Sequence, residues 1–406
     1  MKRKILIEGI ALLALAFCFA CASSTEAQLG GPENKAPEQF TASNYVVSGP
    51  YSHKNLTIFL LHGAGQSAGR TPLTLQEAMK RKLVVVRETG DVNRLTIHNR
   101  SNQDVFVQAG DIVKGGQQDR VLALDLIVPP KSGRIPIDAF CVEQGRWSRR
   151  GNEAVAAFSA SDNALASKDL KIAAKARKSQ GEVWANVGKT QEKLAANLAV
   201  AGQARMGASG GRAADGESGI VATTRSGNVA GGSGRIGRGP GTGINGQTYN
   251  DLAGLASVTD RVSPSSMQLT LENKLVKDTA NDYVKNLSSI INGKRDVIGF
   301  VFAINGQINS ADVYSSNALF AKLWPKMLEA SAIEAIAELK AEEKFQPVEA
   351  AAVKTFLRES QTGKAETKRV TARTSVVKHE TEKNLFFESR DHAQNGKWVH
   401  RNYITK

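Results

Sequence analysis

The stretch Val105-Phe106-Val107-Gln108-Ala109-Gly110-Asp111-Ile112-Val113-Lys114-Gly115-Gly116-Gln117-Gln118-Asp119-Arg120-Val121-Leu122-Ala123-Leu124-Asp125-Leu126-Ile127-Val128 decides the fold class. Short β-branched runs follow one another here, separated by glycine turns and by no helix. Val105–Val107 reads as a strand, Ala109-Gly110-Asp111 as a turn, and Lys114-Gly115-Gly116 as a second turn or bulge. Arg120–Val128 then reads as another apolar strand. Outward from this stretch the pattern repeats: Leu56–Leu61, Lys82–Arg87 and Arg94–His98 upstream, Arg134–Cys141 downstream. One short helix interrupts them at Thr74–Met79, where Thr74 and Glu77 form a capping box. Parallel βαβ units need a helical crossover between successive strands, so they fit poorly. The expectation is an α+β fold: an N-terminal β-rich antiparallel sheet assembly, then a helical half with a β-hairpin and C-terminal strands.

The second half changes composition. Leu165–Ala201 is rich in Ala, Lys and Gln and predicts one helix, or two broken near Ser179-Gln180-Gly181. Gly207 to Gly246 is a Gly/Ser/Arg tract with few groups to build a core, read as a flexible insertion whose arginines suit anionic partners. A helix is expected over Leu275–Ile291. Next, Val297–Ala303 and Gln307–Tyr314 flank Asn305-Gly306, a type I′ hairpin signal. Asn317–Lys340 is helical but interrupted at Pro325, Glu349–Glu359 is a further helix, and the end of the chain alternates like three edge or meander strands. The domain plan is therefore a leader (1–27), a flexible lead-in (28–44), a main domain (45–345) containing the 207–246 insertion, and a C-terminal piece (346–406) packed on it.

Lys2, Arg3 and Lys4 precede the apolar run Ile10–Ala20, which is too short to span a bilayer as a mature helix and reads as a signal peptide. Cys21, which would carry a lipid, and Ala27 are two candidate processing points. Either places the working domain outside the cytoplasm, periplasmic, secreted or lipid-anchored at the envelope. Of the 3 cysteines, Cys18 and Cys21 lie in this leader, leaving Cys141 without a disulfide partner. The 6 histidines show no ligand spacing, so neither metal nor cofactor is expected. The net charge of +14 favours anions: a phosphorylated small molecule, an acidic envelope polymer or an anionic membrane surface. No motif points to specific nucleic-acid binding.

Leu60-Leu61-His62-Gly63-Ala64-Gly65 and the overlapping Gly65-Gln66-Ser67-Ala68-Gly69 imitate the oxyanion loop and nucleophile elbow of an α/β-hydrolase. One loop would have to serve both purposes, and the surrounding chain lacks the doubly wound pattern. No phosphate-cradling glycine motif occurs. Two other clusters carry more chemistry: Gly110 to Arg120, and Cys141-Val142-Glu143-Gln144-Gly145-Arg146-Trp147. As a ligand site, Arg120 and Arg146 would clamp an anionic group and Gln117 and Gln144 would orient it. Gln118 and Asp119 would complete the polar wall, Trp147 would give a stacking face, and Glu143 is the plausible catalytic proton-transfer group. Structural readings stand beside these: Arg120 pinning its turn through a local acid, Glu143 pairing with Arg146 or Arg120, and Cys141 as a buried apolar side chain.

The same two segments resemble the bacterial domain family associated with ADP-ribosylglycohydrolases and the rhodanese-phosphatase superfamily. Ser179-Gln180-Gly181-Glu182-Val183-Trp184 and Ala318-Leu319-Phe320-Ala321-Lys322-Leu323-Trp324-Pro325-Lys326 continue the likeness in order. It spans roughly residues 45 to 345 outside the glycine-rich tract. The family pattern carries Gln-Asn-Arg where this chain has Gln118-Asp119-Arg120; an acid there weakens anion binding or gives Arg120 its own partner. The resemblance implies a link to ADP-ribose or phosphorylated compounds and transfers no catalytic residue. The expected function is binding of an anionic small ligand, nucleotide- or sugar-derived. The alternatives are a hydrolase of such a ligand with Glu143 as general base, and a non-enzymatic envelope interaction module.

Overall fold

Alternation and turn chemistry build the first half of the chain almost entirely from strands: β1 (Val46–His53), β2 (Leu56–His62), β3 (Leu73–Thr74), β4 (Val84–Glu88), β5 (Arg94–Asn99), β6 (Val105–Val107), β7 (Asp111–Gly115), β8 (Arg120–Leu122), β9 (Leu126–Val128), β10 (Ile135–Cys141) and β11 (Phe158–Leu165). These come from a computed structural model that describes residues 45–65, 69–154, 156–210, 258–340 and 343–406. The leader, the lead-in, Ser67 of the hydrolase-like loop and most of the glycine-rich tract lie outside the described residues. The fold is α+β, and every strand pairing among the described residues is antiparallel except β3 with β6.

The helix after β3, Leu75–Lys80, starts on the expected capping box, with Glu77 N–H donating to Thr74 Oγ1 and Thr74 N–H to Glu77 Oε2. Downstream, the helix Lys168–Lys171 passes into a π-helical turn, Ile172–Arg177, and stops where Lys178 adopts φ +53°. The helix Gln180–Gly210 follows, so the expected break near Ser179 is real and the helix runs on into the start of the glycine-rich tract. Met267–Glu272 and Lys274–Leu287 are helices capped by Ser266 and Asn273. The hairpin of β12 (Val297–Ile304) and β13 (Gln307–Tyr314) turns at Asn305 and Gly306, with φ of +52° and +72°, as a type I′ turn requires.

The helix Asn317–Ala337 is continuous through Pro325, contrary to the expected interruption. Leu323, Trp324, Met327 and Leu328 are all buried on either side of the proline. Packing of that order offsets the ~3 kcal/mol that an interior proline costs. The helix Ala350–Glu359 leads to β14 (Lys364–Arg369), β15 (Thr374–Glu380), β16 (Asn384–Asp391) and β17 (Lys397–Thr405). Four strands stand here rather than three. The extra one, β14, is polar and exposed throughout, so no alternation betrays it. Its charges also blunt a sheet edge.

The strands form an eight-stranded sheet in the order β1-β2-β12-β13-β17-β16-β15-β14, a six-stranded sheet β11-β7-β8-β10-β5-β4, and a small β3-β6-β9 sheet. One face of the large sheet packs Leu60, Phe300 and Tyr314 against the Asn317 and Lys274 helices; the opposite face packs Phe59, Val301 and Tyr403 against Val353 and Phe356. The segment expected as one strand, Arg120–Val128, is two. The chain leaves the six-stranded sheet at Leu122 and joins the small sheet at Leu126. The cause is Asp125, whose buried carboxylate is drawn inward to accept from Ala109 N–H at 2.6 Å.

Candidate functional site

The two polar clusters meet. The β7–β8 connection turns through Gly115 and Gly116, with φ of +114° and +58°. A Cβ on Gly116 would lie 2.5 Å from both Glu88 Oε1 and the Phe158 ring, so glycine is required on two counts. That turn delivers Asp119 into the interior. Asp119 Oδ1 accepts from Gly115 N–H (2.9 Å), Ser266 Oγ donates to Oδ2 (2.7 Å), and Arg150 donates to both oxygens at 3.0 Å. Glu143 accepts from Asp119 N–H (3.0 Å), from Arg146 Nε and Nη2 (2.6 Å each), from Arg150 (3.3 Å) and from the Ser263 hydroxyl. Gln118 Nε2 donates to Glu143 O at 2.8 Å and ties the segments a second time.

This is a closed knot of charge. Burial alone would raise the Glu143 carboxyl, but Arg146, Ser263 and the Asp119 N–H hold it below the usual carboxylate range. An enclosed, firmly ionised carboxylate is a poor proton acceptor near neutral pH. Arg146 is equally committed, its remaining N–H groups reaching Gly115 O, Gly116 O and Ser148 O. Cys141 is buried, and that burial pushes its thiol up to about 11, so it is no nucleophile at pH 7. Gln180 grips its backbone on both sides, accepting from the Cys141 N–H and donating to its carbonyl, each at 2.8 Å.

Arg120 differs from its neighbours. It is the largest fully buried side chain (0% exposed), at the start of β8 and opposite Cys141. Nη1 donates to Gln118 O at 2.8 Å, while Nε and Nη2 have no hydrogen-bond acceptor. The nearest carboxylate, Glu88, stands 3.7 Å from Nη2. The Trp147 ring lies over the guanidinium at 5.9 Å and is itself 52% exposed. Gln117 is half-buried at the rim and Gln144 is exposed. Arg150, Glu153, Ser263 and Ser266 belong to the knot and escaped the sequence reading. Only Ser266, placed as an N-cap before Met267, left a readable signal.

A second charged centre, also unread in the sequence, lies deep between the sheets. His400 of β17 is held between Asp125 and Asp312, 3.0 Å on each side, and stacks on Tyr314 at 4.5 Å. The π-helical turn brings in Lys175, 3.6 Å from Asp125 and 4.3 Å from the centroid of the Phe387 ring; the preceding turn brings Lys171 to 3.9 Å from Asp312. Lys326 bonds Asp111 nearby. Burial would raise both Asp125 and Asp312; Lys175 and His400 hold the first low, and Lys171 and His400 the second. Burial would lower His400, yet Asp125 and Asp312 outweigh it and raise the imidazole above 6.5.

These shifts set a pH profile. His400 contributes stability that is whole below pH 6.5 and is lost as pH rises through its raised folded value. Asp125, Asp312 and Glu143 contribute stability above the ordinary carboxylate range and lose it as pH falls. Glu334, raised by burial, and Lys175, lowered by burial, oppose these trends on the acid and alkaline sides. Maximal stability is therefore expected between about pH 5 and 6.5. Melting curves from pH 4 to 9 check this: His400→Gln should flatten the decline above pH 6.5, and an unchanged decline would remove His400 as its cause.

Among the described residues, no group of His, Cys, Asp and Glu could hold a metal ion, and no helix is long and apolar enough to cross a membrane. Comparison with curated proteins and with solved structures returns no match. A family model does match, that of the ARG and Rhodanese-Phosphatase-superfamily-associated Protein domain, over residues 44–404. The match takes in both polar clusters, the Trp184 and Trp324 segments and the C-terminal strands, and the chain belongs to that family.

Proposed function

We propose that the domain binds an anionic small molecule, nucleotide- or sugar-derived, with Arg120 as anchor and Trp147 as cover. The observation that carries this reading is the pair of unpartnered N–H groups on a fully buried guanidinium. Leaving a buried donor unmade costs about 1–3 kcal/mol, more for a charged group, and an incoming oxygen would remove that cost. Trp147 stands on a loop without regular structure, close above the guanidinium, and offers a flat face to a base or sugar ring. Gln117 and Gln144 line the approach. In this reading Asp119, Gln118, Glu143 and Arg146 are the frame of the site rather than its contacts, and Glu143 transfers no proton. Glu88 must share Arg120 with the ligand, which favours one phosphoryl or carboxylate oxygen over a dense anion.

The same proposal places the domain outside the cytoplasm, on the strength of the basic and apolar leader; the mass of the protein recovered from cells would identify processing at Cys21 or after Ala27. Binding is tested by titrating ADP-ribose, ADP and inorganic phosphate while following tryptophan fluorescence and melting temperature. At one hundred times Kd the ligand should add about 2.7 kcal/mol to stability. Arg120→Met should abolish the effect, and because Glu88, which it leaves without this cation, still accepts from the Gln117 N–H, circular dichroism should show the variant folded. Trp147→Phe should remove the fluorescence response. If none of the three anions shifts either signal, the ligand reading fails.

A further inference from the structure

The strand β10 and the chain between β14 and β15 flank a trough whose floor begins at Leu122, two residues from Arg120. One cavity of about 230 Å³ has the buried side chains Leu122, Leu124, Leu126 and Ile137 as its floor, with Arg94 and Lys368 at its mouth. A second, of about 320 Å³, runs past Pro129, Ile135 and Ala372, with Arg134 beside it. The two adjoin, with Pro136 and Val370 in the lining of both. Together they reach the size of small-molecule sites, roughly 300–1,000 Å³.

The charge around this apolar floor is one-sided. Lys178, in the left-handed region at φ +53°, has its pKa lowered below the usual lysine value by the neighbouring Lys368. Two ammonium groups set together repel unless an anion lies between them. The neighbouring carboxylate, Asp138, is 3.9 Å from Lys368 and neutralises one of them. Arg94 and Arg134 have no ion-pair partner among the described residues, whereas Arg373 is fully engaged by Asp104 and Asp391. Arg94, Lys368 and Arg134 thus line the trough against one acid, Asp138. A purely anionic ligand would not need the channel, and a neutral lipid would not need the cations.

We propose that this trough binds a single-chain anionic amphiphile, an acyl chain ending in a carboxylate or phosphate. The head group sits between Lys368 and Arg94, and the chain crosses Pro136 and Val370 into the second cavity. Arg120 is not among the residues that line the trough.

Calorimetry and native mass spectrometry on the full chain test this with laurate and dodecyl phosphate below their aggregation concentrations. One-to-one binding is expected, at least about tenfold tighter than for butyrate, inorganic phosphate or dodecanol. The double variant Arg94→Ala/Lys368→Ala should weaken laurate about tenfold, and Val370→Trp should block the chain. Should Val370→Trp fail to fold, affinity against chain length on the unaltered protein decides the same point. Equal affinity for phosphate and dodecyl phosphate, equal affinity for dodecanol and laurate, binding only to anionic vesicles, or no binding at all would each overturn the proposal.

Discussion

Replacing Asp125 with alanine is expected to destabilise the fold by about 3–5 kcal/mol and lower its melting temperature by roughly 5–10 °C. The loss comes from what stays behind. His400 and Lys175 would face each other with one counter-charge removed, and the Ala109 N–H and Ser389 hydroxyl would lose their acceptor. Asp125→Asn keeps an acceptor for Ala109 while removing the charge, so it should fall between the wild type and alanine. Urea unfolding gives the comparison directly. A cost below about 1 kcal/mol would mean that water reaches this centre and screens it.

Arg150→Ala is the second large effect, again about 3–5 kcal/mol. Its guanidinium serves both oxygens of Asp119 and reaches Glu143 and Glu153, so truncation takes the bidentate cation from buried Asp119 and one donor from Glu143. Arg150→Lys keeps the charge but not the two parallel bonds and should recover only part of the loss. A local readout separates this from general weakening. The loop carrying Trp147 is held from below by the same knot, so its fluorescence should respond in Arg150→Ala at denaturant concentrations where the rest of the chain is folded. A double-mutant cycle with Asp119→Ala should give a coupling of roughly 1.5–3 kcal/mol. A coupling near zero would show that the pair stabilises nothing specific.

Elements were legible where one local rule governs them. The Thr74–Glu77 capping box, the Asn305-Gly306 turn and the break before Gln180 each depend on residues within a turn of one another. β1 escaped because Val46–His53 is half exposed and broken by Gly49-Pro50, and β14 because it has no apolar face. The division of Arg120–Val128 was hidden for a different reason: Asp125 turns inward for partners on β16 and β17, more than 260 residues away. The candidate site divides along the same line. Both clusters stood out as polar residues among strands, and their meeting fits the salt bridge foreseen between Glu143 and Arg146. Arg150, Ser263 and Ser266 could not be added from spacing, since Ser263 and Ser266 approach Glu143 and Asp119 across more than a hundred residues. The Asp–His–Asp centre has no sequence signature at all, because His400, Asp125 and Asp312 lie on three separate elements.

The last strand of the chain, β17, lies inside the eight-stranded sheet between β13 and β16. It also supplies His400 to the buried centre. Until Lys397–Thr405 is in place, the β14–β16 hairpins have nothing to join, and β13 presents a bare edge. The β2–β12 pairing likewise waits for a partner some 240 residues downstream. The large sheet is therefore closed by pairings distant in sequence, so its assembly is expected to be slow and to leave the β13 and β16 edges open to other chains until β17 inserts.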